Sequence, residues 1–547
     1  MKKPKSQVVF NELDFPVGLA RMTVFQGTGV EKEEAFQKPI IAIANSQTDI
    51  TTGHMHLKNL AERVKEGVHA AGGLPFEFNV PAPCDILAMG NEGMRYVLAQ
   101  RDLIADTIET HVRSMNYDGV VFICSCDKIV PGMIMAAARL DMPSIFLTGG
   151  PGAFEIRYKA GAHAGIHHSA YQDLGDKLST ATCVTCGACE LMGTANTLQC
   201  LAEAMGLTLP GTANIPAYHS EKLRAARRTG KRIVEMVEEG MNSRKILTMK
   251  AVENGLIVDL AVGGSTNSTL HLPAIAHELG KQLPLSAFND YNKKIPTLCR
   301  ISPNGPHGIT ELYMAGGIPA VMKVLGGDLH LDALTVSGQT IGEVAAAASV
   351  KDPEVIPERK NAYYPEGATV ILYGNLAPEG AVIKQSAVVR ELHVFRGPAR
   401  VFESEADCLR AIREGTLQEG QVIVIRNEGP RGGPGMPEML AATMGIDMAG
   451  FKRIALITDG RFSGATSGPC VGHVSPEAYE GGPIGILKDG DQILIDIPDR
   501  KIEVELSEEE IKSRLRGYQR IERTIPDRFM RRYVKLVSSA AKGAVLE

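Results

Sequence analysis

The 547-residue chain has no tryptophan, and aromatic residues make up only 5% of it. Surfaces that stack bases or sugar rings need aromatic faces, so the composition argues against an aromatic-platform binder of single-stranded nucleic acid or of glycans. An excess of one charge is missing too: 58 Lys and Arg stand against 63 Asp and Glu, a net charge of −5. That balance leaves no basic footprint for nucleic acid or an anionic membrane. No apolar run is long enough to span a bilayer, and the start MKKPKSQVVFNELDF lacks the apolar stretch of a secretory signal. Ser463 has no GxSxG frame, which leaves a Ser-His-Asp hydrolase unsupported. Gly429–Gly435 lacks the spacing of a P-loop, although its backbone is free to approach an anionic ligand closely. With 44% hydrophobic and 22% charged residues, the composition is globular, and the length allows about two to four domains. These features describe a cytoplasmic enzyme, in which clustered cysteines point to metal more than to disulfides.

The first third alternates short β-branched runs with helical stretches. Lys38–Ala44, Phe76–Val80, Gly119–Cys124 and Ser144–Thr148 read as strands. His56–Ala71, Tyr96–Met115 and Pro131–Leu140 read as helices, the last with proline at its first position. This alternation predicts a parallel, doubly wound sheet. The chain from Ser220 to Leu285 reads as mainly helical, and the polar, proline-rich Asp352–Gly367 as a linker. Beyond it, Ala368–Leu372, Gln421–Ile425, Arg453–Thr458, Asp491–Ile497 and Lys501–Leu506 predict a strand-rich, barrel-like second domain. The fold class is therefore α/β: a first domain over residues 1–360 with a parallel sheet, then a β-barrel-like domain over 361–547.

Unusual residues repeatedly follow these strands. Asn45–Asp49 and Gly53–His56 follow the first, Cys84-Asp85 the second, and Ser125-Cys126-Asp127-Lys128 the third. In the second domain, Arg426–Glu438 and Asp459–Gly464 also follow strands. Ligands of open α/β sheets bind outside the carboxyl ends of strands, so the first three clusters are expected to converge, with the two later loops closing the site. Cys183-x-x-Cys186-x-x-Cys189, with Cys200 eleven residues on, has spacing suited to zinc or an iron–sulfur cluster, although buried packing explains a cysteine equally well. Cys84 and Cys126 each precede an aspartate. Soft sulfur beside hard carboxylate suggests two metals, a cluster on thiolates and a divalent ion on oxygens. His54 and His56 read as a solvated or hydrogen-bonded pair more readily than as ligands.

Six stretches carry a family likeness: CDKIVPGM (126–133), CGACELMGTANTLQCLAEAMGL (186–207), LAVGGSTNSTLHLPAIAHE (260–278), GNLAPEGAVIK (374–384), GPRGGPGMPEML (429–440) and TDGRFSGATSGPCVGHVSPEA (458–478). Over nearly its whole length the chain resembles the dihydroxy-acid and sugar-acid dehydratases. The resemblance implies an N-terminal α/β/α domain followed by a β-barrel-like one, in a homodimer or homotetramer. It implies β-elimination of water from a 2,3-dihydroxy acid to a 2-keto acid. A cluster iron then acts as Lewis acid on the 3-hydroxyl, Mg²⁺ holds the carboxylate and 2-hydroxyl, and a serine alkoxide takes the C2 proton. Matched motif by motif, Cys126 and Cys189 fall on cluster-ligand positions and Asp85, Asp127 and Glu438 on magnesium-ligand positions. Lys128 matches a lysine carbamylated in the family, and Ser463 the general base. Two-iron members carry a cysteine where this chain has Gly53, so a third thiolate is expected from Cys84, with Cys124 and Cys186 as substitutes, and a four-iron cluster is favoured over a two-iron one. The implied substrate is 2,3-dihydroxy-3-methylbutanoate of valine and isoleucine biosynthesis, with an aldonic acid as alternative. Asn91, the stretch Val97–Gln100, Glu190 and Gly193 depart from the usual branched-chain pattern.

Overall fold

The computed structural model describes residues 6, 9, 16–153, 183–464, 466, 468–525 and 527–547. Four apolar runs form the first sheet: β1 (Ile40–Asn45), β2 (Leu74–Asn79), β3 (Gly119–Cys124) and β4 (Ser144–Thr148). All are parallel, in the order β2-β1-β3-β4. β1, β3 and β4 are buried at every residue, as strands covered on both faces must be, whereas β2 is a half-exposed edge. The helices that cover and flank this sheet are α1 (Leu57–Ala70), α2 (Met94–Met115), α3 (Ile129–Leu140), α4 (Thr194–Ala204), α5 (Ser220–Glu239), α6 (Met249–Val262) and α7 (Ser268–Glu278). α1 packs on α5 and α2 on α3. The strand order reverses between β1 and β3, which opens a crevice at their carboxyl ends.

α3 begins at Ile129 with Lys128 as its N-cap. Pro131 is thus third in the helix and not first as expected. The correction is small, because every N–H of the first turn lacks an intrahelical acceptor and a proline there loses no bond.

The second sheet is larger and mixed, in the order β12-β11-β7-β8-β9-β10-β6-β5. Its strands are β5 (Thr369–Leu372), β6 (Gly380–Lys384), β7 (Val394–Phe402), β8 (Val422–Ile425), β9 (Ala455–Thr458), β10 (Cys470–Ser475), β11 (Gln492–Asp496) and β12 (Lys501–Val504). A bridge between Tyr373 and Lys501 brings the two edges together, so the sheet nearly closes into a barrel. Side chains alternate across it. Val370 and Leu372 of β5 enter the barrel core, while Ile371 between them packs into the core of the first domain. On β8, Val422 and Val424 face the barrel, whereas Ile423 and Ile425 face a separate layer closed by α8 (Glu405–Arg413) and α9 (Leu440–Met448). β8 and β9 run parallel, so the loops after them leave the barrel on the same side. No helix among the described residues is long and apolar enough to cross a membrane.

Candidate active site

The loop after β3 is short and carries Cys126, Asp127 and Lys128 straight off the crevice. Gln199 of α4 fixes its entry: its amide donates to the Ser125 carbonyl (3.0 Å) and its oxygen accepts from Gly150 N–H (2.9 Å). Cys84 is the extended N-cap of a short helix, Asp85–Ala88, so sulfur and carboxylate leave the chain side by side. The two later loops are joined by Asp459, whose carboxylate accepts from the backbone N–H groups of Asn427, Glu428 and Ala478. Glu438 and Arg461 then pair as a parallel bridge.

These supports bring Asp85, Asp127 and Glu438 together with one oxygen of each within 4.8 Å of the others. An octahedral ion with bonds of about 2.1 Å has ligand atoms about 3–4 Å apart, so three hard oxygens at this spacing fit Mg²⁺. The Lys128 ammonium lies 2.8 Å from Asp85, 2.8 Å from Asp127 and 3.7 Å from Glu438. A fully buried cation at the centre of three acids shows that the cradle demands positive charge. Burial pushes the Asp127 carboxyl well above its ordinary range, and the charge of Asp85 adds to it. Burial also opposes ionisation of Asp85, but Lys128 and Arg461 outweigh it and hold that carboxyl low. Asp85 Oδ1 is buried with no hydrogen-bond partner. A divalent ion would let both acids ionise and would take up that oxygen.

Cys84, Cys126 and Cys189 lie near enough to one another and to Asp127 for their charges to interact. Burial pushes the Cys126 thiol far up, and the neighbouring Cys84, Cys189, Asp85 and Asp127 add to it. Cys189 is raised to about 12, again by burial first and then by Cys84 and Cys183. Thiols so disposed become thiolates only when a metal supplies the compensating charge. Gly53 borders this group: a Cβ there would stand 2.7 Å from Cys126 Sγ. The first-loop position is thus at the thiol cradle, and its glycine leaves room that a side chain would fill.

Other expectations fall away from the centre. Cys200 lies inside α4, fully buried, with its sulfur 3.3 Å from the Asn214 amide; a helix carries it into the core, away from the Cys183–Cys189 turn. Cys124 is likewise core, pushed up to about 12 by burial. Of the two alternatives, solvated or hydrogen-bonded, His54 and His56 take the second: both are buried and bound, to the Ser46 carbonyl (2.7 Å) and the Gly149 carbonyl (3.0 Å). The glycine-rich stretch receives an internal anion: Glu477 accepts from the backbone N–H groups of Arg431 (2.9 Å) and Gly432 (2.8 Å). Asn91 is exposed and caps its own turn at Gly93 N–H, while Leu98 and Ala99 are core. A cleft of about 500 Å³ along α5, lined by Leu209, Arg228, Lys231 and Gln339, contains none of the candidate residues.

Three residues escaped the sequence reading. Fully buried Arg461 donates to Glu438 (2.7 Å) and to the Met436 carbonyl (2.6 Å). Asn267 donates to Glu438 (2.9 Å) and Thr194 (2.9 Å), tying the first domain to the second at the site. Lys384 donates to the carbonyl of Gly464, next to Ser463. Arg461 was marked only by its place two residues before Ser463, and Asn267 and Lys384 only by lying within the long motifs.

Two family models cover most of the chain, the dihydroxy-acid/6-phosphogluconate dehydratase N-terminal model over residues 38–344 and the corresponding C-terminal model over 354–544. A protein of Thermodesulfovibrio yellowstonii named dihydroxy-acid dehydratase is 49% identical over 533 residues, covering 95% of this chain and 96% of its own. One of the same name from Acetivibrio thermocellus is 48% identical, covering 96% and 97%. Another, from Ignicoccus hospitalis, is 49% identical over 94% and 95%.

Proposed function

The chain belongs to the dihydroxy-acid/6-phosphogluconate dehydratase family, and from that premise we propose that it removes water from 2,3-dihydroxy-3-methylbutanoate to give 3-methyl-2-oxobutanoate, in valine and isoleucine biosynthesis. It is a dehydratase, as its relatives are named. The observation that carries the site reading is the convergence of Asp85 and Asp127 from the first domain with Glu438 from the second, beside three thiols. We take the first domain through residue 360 as the source of the thiols and two of the acids, and the second, from 361, as the source of Glu438 and Ser463.

The thiols of Cys84, Cys126 and Cys189 would hold an iron–sulfur cluster, and Asp85, Asp127, Glu438 and a carbamylated Lys128 a Mg²⁺. When bound, these groups supply Lewis acidity toward the departing 3-hydroxyl and toward the carboxylate and 2-hydroxyl. Carbamylation suits the position of Lys128, because it would replace an ammonium among three acids by an anionic oxygen ligand. The chain's own work is proton transfer and orientation. Ser463, as its alkoxide, takes the proton from C2, the C3–O bond breaks, the proton held on Ser463 Oγ passes to the departing hydroxide so that water leaves, and the enol tautomerises to the 2-keto acid. A serine hydroxyl is too weak an acid to give up its own proton and become that alkoxide without strong positive charge nearby. Arg461 and Asn267 hold Glu438 in place through charge-assisted and neutral hydrogen bonds, so its carboxylate is preorganised before substrate enters.

The test is anaerobic reconstitution with iron, sulfide and Mg²⁺, then keto-acid assay on 2,3-dihydroxy-3-methylbutanoate beside a panel of aldonic acids. The expected result is preference for the branched acid, and a fall in kcat of about 10²–10⁴-fold in Ser463→Ala with iron content unchanged. Preference for an aldonic acid overturns the substrate, and a fully active Ser463→Ala overturns the base.

A further inference from the structure

Lys384 is the last residue of β6, and its side chain turns inward with only 6% of the residue exposed. A buried ammonium is costly unless it is paired or does something. Among the described residues, its hydrogen bond goes to the Gly464 carbonyl at 3.2 Å. The anion acting on it is Asp259 of α6, across the domain boundary. Burial lowers Lys384 to about 7 and raises Asp259 to about 7, and each is drawn partly back by the other's charge. Asp259 accepts from the Ser268 hydroxyl (2.7 Å), and its second oxygen is buried with no hydrogen-bond partner.

Gly464 has equally little freedom. A Cβ there would lie 2.9 Å from the Gly193 Cα and 2.9 Å from the Ser265 hydroxyl, so only glycine lets the chain lie this close to the first domain. The loop is tied at further points. Thr466 N–H donates to the Ser463 carbonyl (3.0 Å), and Gly468 N–H donates to Ala387, three residues beyond Lys384 (3.0 Å). The residue after Ser463 is therefore pressed against the first domain on one side and held through its carbonyl by a cation on the other.

We propose that Lys384 is a positioning residue for Ser463: its ammonium anchors the Gly464 carbonyl and so sets the direction of the Ser463 hydroxyl. The inference rests on the reading of Ser463 as the base. It explains why a lysine is buried at the end of β6 with, among the described residues, a backbone carbonyl as its acceptor. A charge-assisted bond to one carbonyl fixes a peptide more firmly than a neutral bond does, and a misplacement of about 1 Å at a reacting atom costs about 10²-fold in rate.

The test uses the anaerobically reconstituted full chain and 2,3-dihydroxy-3-methylbutanoate carrying hydrogen or deuterium at C2. Lys384→Met should lose about 10²-fold in kcat with KM within about threefold of the parent, and the deuterium isotope effect on kcat should rise as proton removal becomes limiting. Iron and Mg²⁺ content should match the parent. Lys384→Gln, which keeps a neutral donor, should recover part of kcat; it also serves if the methionine variant fails to fold. An unchanged kcat, or a loss of kcat with no change in isotope effect, overturns the positioning role. Ser463→Ala separates the two layers. If it is active, the base reading itself falls; if it is inactive while Lys384→Met has parental kcat and isotope effect, only the positioning role falls.

Discussion

At position 53 a hydrogen atom stands where a side chain would strike the Cys126 sulfur. A Cβ there would come 2.7 Å from Sγ, well inside van der Waals contact. Gly53→Ala should therefore leave the fold intact but displace one thiol of the cradle. Iron bound after reconstitution and dehydratase activity are expected to fall together by about tenfold or more, with far-UV circular dichroism unchanged, since overpacking of a tight site is rarely absorbed locally. His56 makes a pH-dependent contribution. Burial lowers it from 6.5 to about 4, so the unfolded chain binds a proton in this window that the folded chain does not. Its contribution is thus fully present above about pH 6.5 and is lost as pH falls toward 4, on the order of 3 kcal/mol in all. His56→Gln keeps a donor for the Gly149 carbonyl but does not titrate. Parent and variant compared by urea unfolding at about pH 7.5 and about pH 5 should differ in the parent's favour more at the higher value. A gap independent of pH would refute the assignment.

The packing of α1 on α5 depends on two glycines. A Cβ on Gly230 would sit 2.1 Å from the Val64 carbonyl oxygen, and one on Gly67 would sit 2.1 Å from the Arg227 carbonyl oxygen. Gly230→Ala must force the helices apart, and the gain in helix propensity cannot repay it. A net loss of about 1–3 kcal/mol in chemical denaturation is expected, whereas Gly240→Ala at the left-handed C-cap of α5 would report strain without crowding. Elements also differed in how readable they were. The strands of the first sheet were plain because burial on both faces leaves continuous apolar runs. β7 was not foreseen, since its nine residues include Gly397 and Pro398 and alternate between exposed and buried. β10 was hidden for a similar reason: Gly472 interrupts it and His473 adopts a positive φ of 57°. The CxxCxxC spacing was legible, but the helix that carries Cys200 out of that group was not.

Across the whole molecule, the two sheets are tied by buried polar residues as well as by apolar packing. Arg101 of α2 is fully buried and donates to the carbonyls of Gly543 (2.9 Å) and Ala544 (2.8 Å) while pairing with Asp102 (3.0 Å). The C-terminal segment is thereby clamped beside Leu98, Leu270 and Met436, two residues from Glu438. Arg101→Met would leave a buried carboxylate unpaired and two carbonyls without donors. A loss of about 3–5 kcal/mol is expected, with residues after 540 becoming open to proteolysis; an unaltered Tm and digestion pattern would contradict it.

What could be read from order along the chain was chemistry and class. Strand–helix alternation announced the parallel sheet, the residues after each strand announced the crevice with Cys84 and Asp85 among them, and the long motifs announced the family and Cys126, Asp127, Lys128, Cys189, Glu438 and Ser463 as candidates. Which side chains face one another was decided by the fold alone. Cys84 and Cys126, some forty residues apart, come near each other because β2 and β3, which they follow, both run parallel to β1 between them and so end on the same side of the sheet. Arg461, Asn267 and Lys384 acquire roles only because the second sheet docks on the first and removes water from between them. Burial changes what a charged group must do, and no local pattern in a sequence records how deeply a residue is buried by parts of the chain hundreds of positions away.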